Sequence, residues 1–240
     1  MQLGIDAWTL DFQRRYNNRS PGKAVVYGTY QAYLRATPAV LAKHLAAAHR
    51  NHFTLGVKLV RGAYLGSDPR HLIWSQKEDT DTAYDGIAAS LMKRSYGEVL
   101  RPLHGQGNDE FPDVNLVLAS HNHSSVKKAQ IIRNEQVQKR QERIDIVYGQ
   151  LLGMADELSC ELLQGDKAAS QENEKGLAVS AAVDIPRVYK YMVWGTVGEC
   201  MKYLLRRAEE NKDAVVRTKE GRRALSVELW RRVRATMNRS

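Results

Sequence analysis

The sequence predicts an α/β fold built around a parallel β-sheet. Five short segments rich in β-branched and aromatic residues alternate with longer segments in which apolar residues recur about every 3.6 positions. The five segments are continuous apolar runs rather than alternating ones, which is typical of strands with both faces covered. With 43% hydrophobic residues in 240, the chain has enough apolar content for a core. After one leading helix, the order is strand then helix five times over, as in parallel α/β proteins.

The predicted strands share an apolar, β-branched composition and end in Gly or polar residues. They cover residues 24–33, 54–62, 114–120, 144–152 and 188–193.

The predicted helices are marked by their 3.6-residue period and by their start signals. Thr37-Pro38 is the clearest start, since proline is favoured in the first helical turn. The predicted helices cover residues 3–17, 38–51, 80–100, 124–143 and 156–163, with a last one starting at 195–196. Two polar segments, 105–112 and 164–177, are predicted loops.

Two architectures accommodate this order of elements. Repeats of 30–60 residues suit a (β/α) barrel, but five strands do not close a barrel that takes eight. A doubly wound open sheet is the alternative, although no G-x-G-x-x-G turn follows any strand. In a barrel the site lies at the carboxyl ends of the strands. Polar and aromatic residues follow those ends: Gln31, Tyr33, Arg61, Tyr64, His121, Asn122, His123, Gln150 and Trp194.

Lys58 and Gln150 lie inside predicted strands, where a polar side chain costs free energy unless it has a partner. A bound polar cofactor would supply one, and a hydrogen-bonded layer without a ligand is the alternative. His121 and His123 form an H-x-H pair, but no carboxylate or cysteine at a suitable spacing accompanies it, so no metal site is predicted. No serine lies in a G-x-S-x-G elbow.

Composition and charge exclude several classes of protein. Two cysteines are too few for a disulfide framework, and no run of 18 apolar residues predicts a membrane-spanning helix. The net charge is +9, and residues 217–240 hold eight Arg or Lys against two Glu. Residues 212–240 are therefore predicted to be a basic helical tail, either simply solvated or able to bind an anionic membrane, nucleic acid or an acidic partner.

The last helix carries an unusual pair of arginines in the run Tyr203 to Asn211. Helical spacing brings Tyr203, Arg206 or Arg207, and Glu210 to one side. Arginine binds carboxylate and phosphate groups through two parallel hydrogen bonds, so an anion clamp is one interpretation. A solvated helix face with an Arg–Glu pair is the other.

Six motifs together resemble the proline dehydrogenase family, and most closely its fungal mitochondrial form. They occur in the family's order and cover nearly the whole chain. They are V-Y-G-T-Y-Q-A-Y-L at 26–34, K-L-V-R-G-A-Y at 58–64, S-H-N at 120–122, Q-L-L-G-M at 150–154, K-Y at 190–191 and Y-L-L-R-R-A-E-E-N at 203–211.

The resemblance implies a distorted (β/α)8 barrel of the TIM type that holds FAD noncovalently, with about five of its eight β/α units present in this single partial domain. It implies oxidation of L-proline to Δ1-pyrroline-5-carboxylate, the first step of proline catabolism. Electrons would pass to a quinone at the matrix side of the mitochondrial inner membrane, and no nucleic acid is expected as a partner.

The resemblance also assigns roles to residues of this chain. Arg206 and Arg207 are expected to bind the proline carboxylate, with Glu210 near the amine. The residues expected around the proline ring and the flavin end of the pocket are Tyr191, Tyr203, Tyr64 and Leu59. The residues expected to contact FAD are Gln31, Lys58, Val60, Gly62, His121, Asn122 and Gln150.

The chain departs from the family pattern at its start. The family's first three strands have no counterpart here, and with them are missing a lysine that meets the carboxylate and an aspartate close to the flavin. A C-terminal fragment is therefore expected, and an inactive remnant is the alternative to an active enzyme.

Overall fold

The computed structural model describes residues 2–103, 110–163, 184, 186–210, 226 and 229–231, without the side chains of 2–6, 206 and 208–210. The predicted loop at 164–177 and most of the loop at 105–112 lie outside the described residues. So does the predicted basic tail, 212–240, apart from four of its residues.

Five parallel strands form one sheet in the order in which they occur along the chain. They are β1 (Gly28–Gln31), β2 (Leu55–Val60), β3 (Val114–Ala119), β4 (Asp145–Leu151) and β5 (Val188–Tyr191). Each strand pairs in parallel with the next, which requires a crossover between every two neighbours. The predicted α/β fold with a parallel sheet is confirmed, and the sequential order is that of a barrel wall.

The described helices are α1 (Gln2–Tyr16), α2 (Thr37–Arg50), α3 (Lys77–Lys93), α4 (His123–Gln138), α5 (156–163) and α6 (Val197–Glu210). Helices α2 to α5 lie in the four crossovers, α1 precedes β1 and α6 follows β5. Helix α3 begins earlier than predicted because Gln76 and Asp79 form a capping box. It ends at Lys93 rather than near residue 100, because Arg94 adopts a left-handed conformation with φ of 50°.

The first strand is shorter than the predicted 24–33. The backbone N–H groups of Val25 and Val26 donate to the side chain of Asn17, and that of Ala24 donates to Asn115. Those donors are therefore not available to a neighbouring strand. The fifth strand likewise ends at Tyr191 rather than at 193.

The two faces of the sheet differ. One face packs against helices α2 to α5 and forms the core, with Leu59, Leu118 and Tyr148 fully buried. The opposite face holds Lys58 and is half-buried or exposed at Thr29, Lys58 and Val117, although Gln31 and Asn115 on the same face are buried. The expectation that both faces are covered is therefore wrong for the described residues: the continuous apolar runs arise because valines such as Val117 also occupy the open face.

Candidate functional site

The open face of the sheet holds one cation, Lys58, near the carboxyl end of β2. The register places Thr29 of β1 and Val117 of β3 beside it. Its ammonium lies 5.3 Å from the ring centroid of Tyr191, the last residue of β5. That distance is within the range of an attractive cation–π contact. Lys58 makes no hydrogen bond or ion pair with any residue that the structure describes.

Helix α6 continues this cluster from the other side. The rings of Tyr191 and Tyr203 lie 5.9 Å apart, and the guanidinium of Arg207 lies 5.5 Å from the ring of Tyr203. Tyr203 and Arg207 lie four residues apart on α6, so one helix face presents both. The structure therefore brings together Lys58, Tyr191, Tyr203 and Arg207, which the sequence assigned to one site.

The loop after β2 joins α6 to the sheet. Arg207 Nη2 donates to the carbonyl oxygen of Ala63 at 3.4 Å, and the N–H of Ala63 donates to Gln31 Oε1 at 2.7 Å. Gln31 itself is buried at the end of β1. Sequence reasoning did not identify Ala63, because its contribution is its backbone. The small residues Gly62 and Ala63 directly after a strand are the signal that could have pointed to it.

Gly62 is required here by packing. A Cβ at this position would lie 2.6 Å from the ring of Tyr33. The same loop is tied to β1 by Trp74, whose indole N–H donates to the carbonyl of Ala32 at 3.0 Å. The hydroxyl of Tyr33 also donates to Asp68. These contacts fix the course of the loop that meets Arg207.

The electrostatics of the site favour an anion. Burial lowers the pKa of Lys58 below its ordinary value, and the neighbouring charge of Arg207 lowers it further. Arg61, by contrast, leaves the strand on the other side, where it forms an ion pair with Asp81 and donates to Ser125. An anion between Lys58 and Arg207 would relieve their mutual repulsion.

His121 and Asn122 act within the protein scaffold. His121 Nε2 accepts a hydrogen bond from the N–H of Leu151 at 3.0 Å, which ties the end of β3 to the end of β4. Asn122 caps α4 by accepting from the N–H of Ser125. His123 faces Glu161. Among the described residues no three potential metal ligands come together.

Two predicted site residues lie away from the open face. Leu59 points to the helix side of β2 and is fully buried in the core, away from the face that carries Lys58. It alternates with Lys58 and therefore takes the opposite face. Gln150 also lies on the helix side, buried, with Oε1 accepting from Ser159 of α5.

The remaining predicted residues are only partly placed. Val60, the last residue of β2, lies half-buried on the face of Lys58. Tyr64 is 39% exposed in the loop after β2. Arg206 and Glu210 lie on α6, but their side chains are outside the described residues.

One polar group of the open face tests whether these residues suit a flavin. The ammonium of Lys58 makes no hydrogen bond or ion pair with the described part of the chain. It is a donor, and a flavin ring with its diphosphate is rich in acceptors. Such a donor is costly to leave unmatched, so Lys58 fits the cofactor that the resemblance implies. Gln150 Nε2 is also a buried donor without a hydrogen-bond partner among the described residues, but it lies on the opposite face of the sheet.

The family model and similar curated proteins indicate the same family. Residues 2–220 match the family model described as proline dehydrogenase. The chain is 32% identical over 235 residues to proline dehydrogenase 1, mitochondrial, of Drosophila melanogaster, covering 97% of this chain and 31% of that protein. It is 34% identical over 225 residues to the hydroxyproline dehydrogenase of Mus musculus, covering 91% and 42%. It is 31% identical over 238 residues to the probable mitochondrial proline dehydrogenase of Schizosaccharomyces pombe, covering 95% and 44%.

Solved structures support the fold. Proline utilization A from Bdellovibrio bacteriovorus, inactivated by N-propargylglycine, matches 87% of this chain and 18% of its own with a TM-score of 0.58 and 18% identity. A second proline utilization A structure, with proline bound in remote sites, matches 77% of this chain and 16% of its own with a TM-score of 0.53 and 22% identity. The chain spans less than half the length of each relative. Because a family model matches most of its length, this chain belongs to the proline dehydrogenase family.

Proposed function

We propose that this chain forms the part of a flavoenzyme that binds proline and FAD and oxidises L-proline to Δ1-pyrroline-5-carboxylate. The observation that carries this proposal is the placement of Arg207. Its guanidinium packs on Tyr203, donates to the backbone of Ala63 and lies near Lys58 on the open face of the sheet. Cations beside aromatic rings suit a small amino acid with a carboxylate and an apolar ring.

Each residue has a physical task in this proposal. Arg207, with Arg206, binds the carboxylate and fixes its direction. Tyr191 and Tyr203 pack on the pyrrolidine ring and exclude water. A bound FAD would supply the acceptor for the hydride that leaves the carbon next to the nitrogen. Because the cofactor supplies that chemistry, orientation of the ring is the main contribution of the protein.

The electron acceptor and the location are part of the same proposal. Four relatives carry the word mitochondrial in their names, which supports a mitochondrial enzyme. We propose a quinone as acceptor, with the protein on the matrix side of the inner membrane. No described helix has the length and apolar character of a membrane span.

Flavin reduction tests the proposal directly. The purified chain should bind FAD, and anaerobic L-proline should bleach the absorption band of the bound flavin. Arg206→Met and Arg207→Met should each raise the proline concentration needed for bleaching, while Lys202→Met, an exposed change on the same helix, should not. Bound flavin that proline fails to reduce would refute the proposed activity.

Hydroxyproline is a second candidate substrate. Relatives named hydroxyproline dehydrogenase, from mouse and human, are 34% and 33% identical to the chain over 225 residues. The ratio of kcat/KM for proline and for hydroxyproline decides between the two substrates, since specificity is a ratio of those constants.

A further inference from the structure

We propose that Lys58 is a catalytic base that takes the proton from the amino group of the bound substrate. The role rests on the proposed oxidation of a cyclic amino acid. It gives Lys58 a task beyond the cofactor contact that family resemblance implies.

The surroundings of Lys58 are the first argument. Lys58 lies half-buried on the open face, 5.3 Å from the ring of Tyr191, in the cluster that also contains Arg207. No carboxylate of the described chain pairs with it. Three other cations in or next to the described strands have a carboxylate partner: Arg61 pairs with Asp81, Arg187 with Asp145 and Lys190 with Asp156.

The groups that face Lys58 leave few other candidates for a proton acceptor. From β1 and β3 its neighbours are Thr29 and Val117, which do not titrate. From β5 and α6 it faces Tyr191, and beyond that ring Tyr203 and Arg207. Tyrosine and arginine are protonated at neutral pH, so neither accepts a proton there.

The amine chemistry requires such an acceptor. Free proline carries a protonated secondary amine at neutral pH, and a protonated nitrogen has no lone pair to form the C=N bond. In the proposed step an N–H bond of the substrate breaks and an N–H bond forms on Lys58 Nζ. The lone pair left on the substrate nitrogen then forms the C=N bond as a hydride, with its two electrons, leaves the neighbouring carbon for the flavin. The product leaves as a protonated imine, which balances the charge.

The electrostatics support this role. Burial, and then the charge of Arg207, lowers the pKa of Lys58, which increases the fraction of neutral amine available as a base. A general base works best when its pKa lies near the working pH. The same two effects act on the substrate ammonium when it enters the site, and they favour its loss of a proton as well.

A purely cationic role is the competing explanation, in which Lys58 only holds an anion. Arginine distinguishes the two roles, because Lys58→Arg keeps the charge but cannot be deprotonated in a protein. If Lys58 is a base, Lys58→Arg and Lys58→Met should be impaired alike. If it only supplies charge, Lys58→Arg should keep the wild-type rate.

The first measurement needs no cofactor. Competitive acetylation of the folded chain across a pH series, read by mass spectrometry, reports the pKa of each lysine. Lys58 should titrate below the ordinary lysine pKa of about 10.4. A pKa for Lys58 at or above that value would overturn the proposal.

The second measurement is single-turnover reduction of bound flavin by proline. At neutral pH both Lys58 variants should be slower by about 100-fold or more, as for loss of a general base. Added ethylamine should restore part of the rate in Lys58→Met. Tetrahydrofuran-2-carboxylate, which has ring oxygen in place of the amine, should bind Lys58→Arg with wild-type affinity.

The outcomes separate the two proposals. If proline does not reduce the flavin of the wild-type chain, the proposed function fails. If proline reduces the flavin of the wild-type chain, three results for Lys58→Arg would each refute the proposed base. They are a wild-type rate of flavin reduction, a loss of affinity for the oxygen analogue, and a loss of the bound flavin.

Discussion

Two groups of positive charge lie at opposite ends of the sheet, and they differ in whether a carboxylate pairs with them. At the amino-terminal end, Arg133 of α4 is almost fully buried and donates two hydrogen bonds to Asp184, with Nη1 also donating to the carbonyl of Ile144. Arg143 pairs with the same carboxylate at 2.8 Å. The charge here is neutralised within the chain.

At the carboxyl-terminal end, Lys58 has an aromatic ring and a second cation as neighbours instead of a carboxylate. Burying charge without a partner costs free energy, so a fold gains nothing from this arrangement by itself. The difference between the two ends indicates which cations stabilise the fold and which are placed for a ligand.

The largest expected effect is a loss of stability when the carboxylate at the amino-terminal end of the sheet is removed. Asp184→Ala should leave Arg133 buried and unpaired, which costs about 3–5 kcal/mol of stability. Urea unfolding of the wild type and the variant measures this difference. Asp145→Ala is the matched control, because its ion pair with Arg187 is half exposed and such pairs contribute at most about 1 kcal/mol. Equal losses in the two variants would show that the buried pair is not special.

A substitution at the carboxyl-terminal end of the sheet should reduce catalytic efficiency rather than stability. Arg207→Met removes the guanidinium proposed to bind the carboxylate, and kcat/KM for proline should fall about 100-fold, equivalent to ~2.7 kcal/mol. Steady-state kinetics measure this, with Lys202→Met as the control on the same helix. The unfolding midpoint of Arg207→Met should stay close to that of the wild type. A large loss of stability would mean that Arg207 belongs to the scaffold.

The parallel sheet was predictable because continuous apolar runs are a local signal. The ends of the strands were less predictable. Strand β1 starts four residues later than predicted, because the backbone N–H groups of residues 24–26 donate to the side chains of Asn17 and Asn115. Those contacts are between residues far apart in sequence, which no local pattern contains.

The candidate site shows the same division. Lys58, Tyr191, Tyr203 and Arg207, which the motifs assign to one site, lie together because strand ends and one helix face converge in this fold. Leu59 lies on the opposite face from Lys58, because side chains alternate along a strand, and motif membership takes no account of that alternation. Ala63 was missed because its role is carried by its backbone.

A smaller effect is expected from Gly62→Ala, which tests how the two parts of the site are joined. The added methyl group would lie 2.6 Å from the Tyr33 ring, so the loop must shift and weaken the contact between Ala63 and Arg207. Overpacking of this kind costs about 1–2 kcal/mol. Gly66→Ala in the same loop is the control, since nothing lies within 4 Å of its added methyl group. Thermal unfolding and KM for proline should both change for Gly62→Ala and neither for Gly66→Ala.

The smallest expected effect has the opposite sign. Lys58→Met removes an ammonium that is partly desolvated beside Arg207, so the variant should be slightly more stable than the wild type at neutral pH, by less than about 1 kcal/mol. Because the folded-state pKa of Lys58 is lowered, the unfolded chain binds more protons between that pKa and the ordinary lysine pKa of about 10.4. The free energy of unfolding of the wild type therefore rises with pH through this window. The difference in stability between Lys58→Met and the wild type should become smaller. Urea unfolding at neutral pH and near pH 10 measures the trend, with the exposed change Lys43→Met as control. A variant that is less stable than the wild type at neutral pH would show that Lys58 stabilises the fold, and the contrast between the two ends of the sheet would not hold.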